Sequence, residues 1–128
     1  MKDTLKKEAQ KIQDYLEIHC SDEPAEITER IKTISVYMAR SGEMLAQAKR
    51  LYNQKTTSEI GQTIVKIAKE QFLSATAQNA LVKSIAEEEQ FLVDWIDRIN
   101  KTCTHQMEAL RTLLSYEKEQ MKLNRTGY

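Results

Sequence analysis

The sequence predicts an all-α protein: a helical bundle of about four helices, two of them long, in up-down order and closed by a very long C-terminal helix. Three observations carry this. Apolar residues recur at helical spacing over most of the chain. One Pro and three Gly are the only strong helix breakers in 128 residues. Charged residues make up 30 % of the chain against 41 % hydrophobic and 6 % aromatic, the balance of long helices with solvated outer faces. A chain of this length is one domain, 1–128, with a frayed tail expected over 124–128.

Helix 1 is expected over 3–19, with Leu5, Ala9, Ile12 and Leu16 on its apolar face. Cys20, Ser21, Asp22, Glu23 and Pro24 form the clearest break in the chain. Ser21 or Asp22 can cap the following helix, and Pro24 suits a first helical turn, where its missing N–H costs nothing. Helix 2 is expected over 24–54, on the seam Ile27, Ile31, Ile34, Met38, Ser41, Leu45, Ala48 and Tyr52. Gly42 lies inside it and costs about 1 kcal/mol against Ala, which close approach of a bulky side chain such as Trp95 would justify. Helix 3 is expected over 58–73. It is apolar on two sides, with Ile60, Ile64 and Ile67 on one and Val65, Ala68 and Phe72 on the other, so neighbours should enclose it. A phase change between Tyr52 and Ile60 argues that helices 2 and 3 are separate.

Helix 4 is expected to start at a cap supplied by Ser74 or Thr76 and to run unbroken to Leu123. Its stripe is Leu81, Ile85, Leu92, Ile96, Ile99, Cys103, Met107, Leu110, Leu114 and Met121. Many of these are eleven residues apart, as are Leu81, Leu92, Cys103 and Leu114, a repeat that keeps the stripe nearly straight along one helix. Glu88, Gln106 and Glu117 are polar members of the stripe. Glu88 is expected to set register or to mark a partly exposed stretch.

Chemistry is sparse. Formal net charge is zero, with 19 basic and 19 acidic residues, which counts against a dedicated nucleic-acid binder. There is no secretory signal and no apolar run of membrane-spanning length, so a cytoplasmic protein with reduced thiols and no membrane partner is expected. The two His lie beside the two Cys, but Cys103 and His105 diverge by about 200° on a helix, so no metal site is expected. No di-iron motif, phosphate loop or nucleophile motif is present, and the chain is read as having no catalytic residues and no cofactor.

Two resemblances bear on function. Glu26-x-x-Glu29 and Asp94-x-x-Asp97 look faintly similar to the Mg²⁺-binding pairs of helical nucleotide pyrophosphatases of the MazG type. The segments 91–106 and 35–40 resemble small helical proteins of prophages and mobile elements of gut bacteria, which implies a bacterial or phage origin and brings no site residues. The function expected first is a non-enzymatic helical interaction or assembly protein. The alternatives are a nucleic-acid-associated accessory protein of phage replication or recombination, with Arg98, Lys101 and Arg111 as candidate phosphate contacts, and a Mg²⁺-dependent pyrophosphatase-like enzyme.

Helix lengths suggest a partner. Helix 4 would span about 70 Å against about 46 Å for helix 2. If it ran parallel to helix 2 it would overhang the bundle, exposing Met107, Leu110, Leu113, Leu114 and Met121. A homodimer through the C-terminal helix would cover that surface.

Overall fold

The computed structural model describes residues 1–126 and is built of helices. There are five: α1 (Lys2–Leu16), α2 (Pro24–Thr56), α3 (Glu59–Glu70), α4 (Ala75–Ile85) and α5 (Glu87–Thr126). The first break falls where Pro24 takes the first turn of α2. The cap is not Ser21 or Asp22, however: Glu23 occupies that position without a side-chain hydrogen bond, and the Ser21 hydroxyl instead accepts from the Glu23 N–H at 3.3 Å and donates to Glu26. Ser74 caps α4 as expected, accepting from the Ala77 N–H at 3.1 Å, and Ser58, expected as the first residue of helix 3, is instead its cap, accepting from the Gly61 N–H at 3.3 Å. Helices α2 and α3 are separate, as their phases require.

The long helix expected from Ser74 to Leu123 is two helices. Ala86, fully buried, leaves helical geometry at φ −107°, ψ 28°, and α5 restarts at Glu87. Three consecutive carboxylates, Glu87, Glu88 and Glu89, occupy its first turn, where the exposed N–H groups and the helix dipole favour negative charge. The break takes Leu81 and Ile85 out of line with Leu92. α5 starts beside the C-terminal end of α2 and returns antiparallel to it rather than parallel. At its other end α5 continues in helical conformation to Thr126, past the expected end at Leu123, and Gly127 and Tyr128 of the expected tail lie outside the described residues.

The core is therefore an up-down-up bundle of α1, α2 and α5, with α3 and α4 as a short hairpin at one end. Side-chain contacts fix the directions. Lys2 meets Glu88 and Glu89, Gln13 accepts from the Trp95 indole, and Gln106 donates to the Leu16 carbonyl at 2.9 Å, so α1 and α5 run alike. Glu8 pairs with Arg40 while Leu16 meets Arg30, and Asn100 meets Ser41 while Gln106 meets Arg30, so α2 runs the other way.

Leu5, Ala9, Ile12 and Leu16 of α1 interleave with Ile27, Ile34, Met44 and Ala48 of α2 and with Leu92, Ile96, Ile99, Cys103, Met107 and Leu110 of α5. Burying each large aliphatic side chain here contributes roughly 1.5–3 kcal/mol against leaving it in water. Packing against two helices widens the buried face of α2 beyond a single seam. Met44 and Arg30 are buried, while Ile31, Met38 and Leu45 are half-buried. Gly42 does not admit Trp95. A Cβ there would meet the Asn100 amide nitrogen at an ordinary 3.8 Å, and Trp95 packs instead toward Gln13 and Phe91.

Candidate interaction surface

Two parts of the surface and two buried polar groups are the places where this fold does more than pack. The α3–α4 hairpin is the first. Gly61 and Ala68 are the buried residues of α3, and α4 buries none. The reason is steric: a Cβ at Gly61 would run into the Thr56 carbonyl, so α3 lies against the end of α2 along its smallest residues. Its other apolar side stays in water. Ile60 is 63 % exposed and Ile67 51 %, which corrects the expectation that neighbours enclose α3.

The end of α3 sharpens this surface. Phe72 donates its N–H to the Lys69 carbonyl and Leu73 to the Ala68 carbonyl, the two bonds of a Schellman turn, which places Phe72 at the left-handed position. Its φ is 56°, a conformation in which Gly is the usual residue. Its ring is 94 % exposed. An aromatic side chain therefore stands in a strained backbone position with no contact of its own to justify it.

The outer side of α5 is the second part. Arg98 and Lys101 line a cleft with Asp94, Asp97, Thr102 and His105. Lys101 is already paired with Asp97 at 2.9 Å, and Arg111 lies about 15 Å further along the helix. A phosphate approaching here meets two carboxylates together with the cations. The Asp94/Asp97 pair and the Glu26/Glu29 pair line different clefts, the latter at the α1–α2 turn beside Arg30 and His19. The two do not converge, and among the described residues no group of three or more His, Cys, Asp or Glu is placed to hold a metal ion. Cys103 is buried, beside Ser41, while His105 is exposed.

The surface expected on the C-terminal helix is mostly interior. Met107 and Leu110 are 6 % and 8 % exposed within one chain, Leu113 and Leu114 are half-buried, and Met121 alone of the five stands in water, at 56 %. Antiparallel pairing with α2 covers what a parallel arrangement would have left bare. No helix of the described residues is long and apolar enough to cross a membrane.

Two buried charges escape the sequence pattern. Glu88 is exposed and paired with Lys2 and Lys6, which hold its carboxyl below the usual range. The buried carboxylate is its neighbour Glu89, 3 % exposed. One of its oxygens accepts from Lys2 at 3.3 Å and the other has no partner. The phase shift at Ala86 rotates Glu89 inward in place of Glu88. Arg30 is the second, 7 % exposed on α2. It lies three residues after Ile27 and four before Ile34, a spacing that marks a core-facing position. Its guanidinium sits 4.4 Å from the Tyr15 ring centre and donates to the Leu16 carbonyl and to Gln106. It thus closes the C-terminal end of α1, where carbonyls lack helical partners. No family model, curated protein or solved structure matches this chain.

Proposed function

We propose that this chain is a non-enzymatic helical interaction protein that docks a partner on the α3–α4 hairpin. Phe72 is the observation that carries the reading. A left-handed conformation costs a non-glycine residue roughly 1–2 kcal/mol, and a fully exposed ring recovers none of it inside one chain. On the same hairpin Ile60, Ile67, Leu73 and Leu81 are exposed, and its two helices have only 12 and 11 residues. Helices this short are marginal in water unless packing holds them. Exposed aromatic and aliphatic anchors of this kind are what a partner surface buries first. Self-association remains one form of this reading, with the hairpin rather than Met107 and Leu110 as the contact. Nothing in the placement of Arg98, Lys101 and Arg111 favours nucleic acid.

The test is photo-crosslinking in the cell that naturally makes the protein. A benzophenone amino acid replaces Phe72 in one variant and Val36, 65 % exposed on α2, in another. A discrete adduct from position 72 and none from position 36 is the expected result. An adduct at twice the chain mass identifies a second copy. No adduct from position 72, or identical smears from both, overturns the reading.

A further inference from the structure

We propose that the cleft over Arg30 is a binding site for a small monocarboxylate. Beneath this cleft lies a buried cation, Arg30, 7 % exposed. Arg30 forms no ion pair among the described residues, and its partners are neutral: the Leu16 carbonyl and the Gln106 side-chain oxygen, both reached from Nη2 at 3.3 Å, and the face of Tyr15. Those two bonds use both Nη2 hydrogens. Nε is buried, closed to solvent and without an acceptor, and Nη1, which has no acceptor among the described residues, is the donor left for an occupant of the cleft. The negative end of α1 and the Tyr15 ring offset part of the desolvation cost. They leave unused donors on a group whose preferred partner is a planar carboxylate.

The protein's own carboxylates decline the role. Glu26 sits four residues before Arg30, the spacing at which helix ion pairs form, yet its carboxylate accepts from Ser21. Glu29 pairs with Lys32 at 3.5 Å. Both stand exposed at the rim while the cation lies below them.

Space exists for an occupant. Arg30 helps to line a cleft of about 360 Å³, walled by Tyr15, Cys20, Ala25 and Thr33. That is the small end of the range for ligand pockets. Its floor offers one positive charge and an aromatic face, and its rim offers two negative charges. A dianion such as phosphate loses far more hydration on entering a cleft that supplies one buried cation, and it has no apolar body to lay on Tyr15. A monoanion with an apolar body satisfies the floor and lays its body on Tyr15.

Nitrogen-15 NMR of the full chain, tuned to arginine Nε–Hε groups, tests this with acetate, benzoate and inorganic phosphate as probes. Arg30→Lys, which keeps the charge and removes the signal, assigns the Arg30 resonance; Glu26→Gln, an exposed change, provides an independent readout. Benzoate should move the Arg30 signal to saturation, acetate should do so more weakly, and phosphate should give no saturable shift. Glu26→Gln should tighten benzoate about threefold, the effect of removing one exposed charge. An Arg30 signal that benzoate leaves in place, phosphate binding as tight as benzoate, or benzoate binding weakened by Glu26→Gln would each overturn the assignment.

Discussion

Cys20 and Cys103 are chemically identical and are separated by burial alone. Cys103 is fully buried, and burial pushes its thiol up while a hydrogen bond with Ser41 opposes the shift. The reactive species is the thiolate, so both its inaccessibility and its raised pKa slow it. Cys20, half-buried in the α1–α2 turn, should react with a thiol reagent many times faster in the folded protein, and the difference should vanish in denaturant. Equal rates under native conditions would contradict the placement of Cys103. The Glu8–Arg40 pair gives a second expectation at this scale. Arg40 donates to both Glu8 oxygens, from Nη2 at 2.7 Å, and these hydrogen bonds hold the Glu8 carboxyl below its ordinary value against the opposing effect of burial. The folded pKa lies below the unfolded one, so the pair stabilises the fold above the unfolded value of about 4.3 and loses that contribution as pH falls through the folded value. Glu8→Gln should therefore cost about 0.5–1 kcal/mol at pH 7, a magnitude held down by partial exposure, and nothing in strong acid. Chemical denaturation at both pH values measures it.

Phe72 and Ala86 decide the elements. Phe72→Gly removes the steric cost of the left-handed turn and adds some unfolded-state entropy, so a net gain of about 0.5–1 kcal/mol is expected, read by thermal melting. Loss of stability would show that the ring packs somewhere within the chain. The same two residues mark where sequence reading stops. The helix class, the α2–α3 break and a cap at Ser74 were legible, because turn chemistry and hydrophobic phase are local properties. So were Leu92, Ile96, Ile99 and Cys103 as core, all of them buried. Ala86 was not legible: Ala is the best helix former, and the apolar spacing of Leu81 and Ile85 runs on as though the helix continued. The acidic triplet Glu87, Glu88 and Glu89 was the available signal, since such a cluster suits a first turn better than the middle of a helix. Phe72 hid for the opposite reason, as an apolar residue in a position where only its backbone conformation is informative. Arg30 hid because a charged residue within a seam is read as an exception rather than as part of the core.

At the scale of the molecule, the direction of α5 decides which apolar residues are covered. α5 runs back along α2, and its apolar stripe is used within one chain. The result is a rod with two unequal parts: α1, α2 and α5 share the whole buried cluster, whereas α3 and α4 hold to the end of α2 through Gly61 and Ala68 and to each other. Local opening follows local burial. Amide hydrogen exchange should therefore show α3 and α4 opening at a free energy several kcal/mol below the global value, with the slowest amides around Ile34, Met44, Ile96 and Ile99. The same experiment separates the two architectures. A helix continuous through Ala86 would protect Ser84 to Gln90 as evenly as its middle. The break instead leaves the Ala86 N–H bonded only to the Lys83 carbonyl, at 3.2 Å, and should give a local maximum of exchange there. If a partner docks on the hairpin, its binding should raise protection in α3 and α4 first and leave the core amides nearly unchanged. Uniform exchange from α2 through α5 would show that the hairpin belongs to the cooperative core and that its exposed side chains are not a separate docking element.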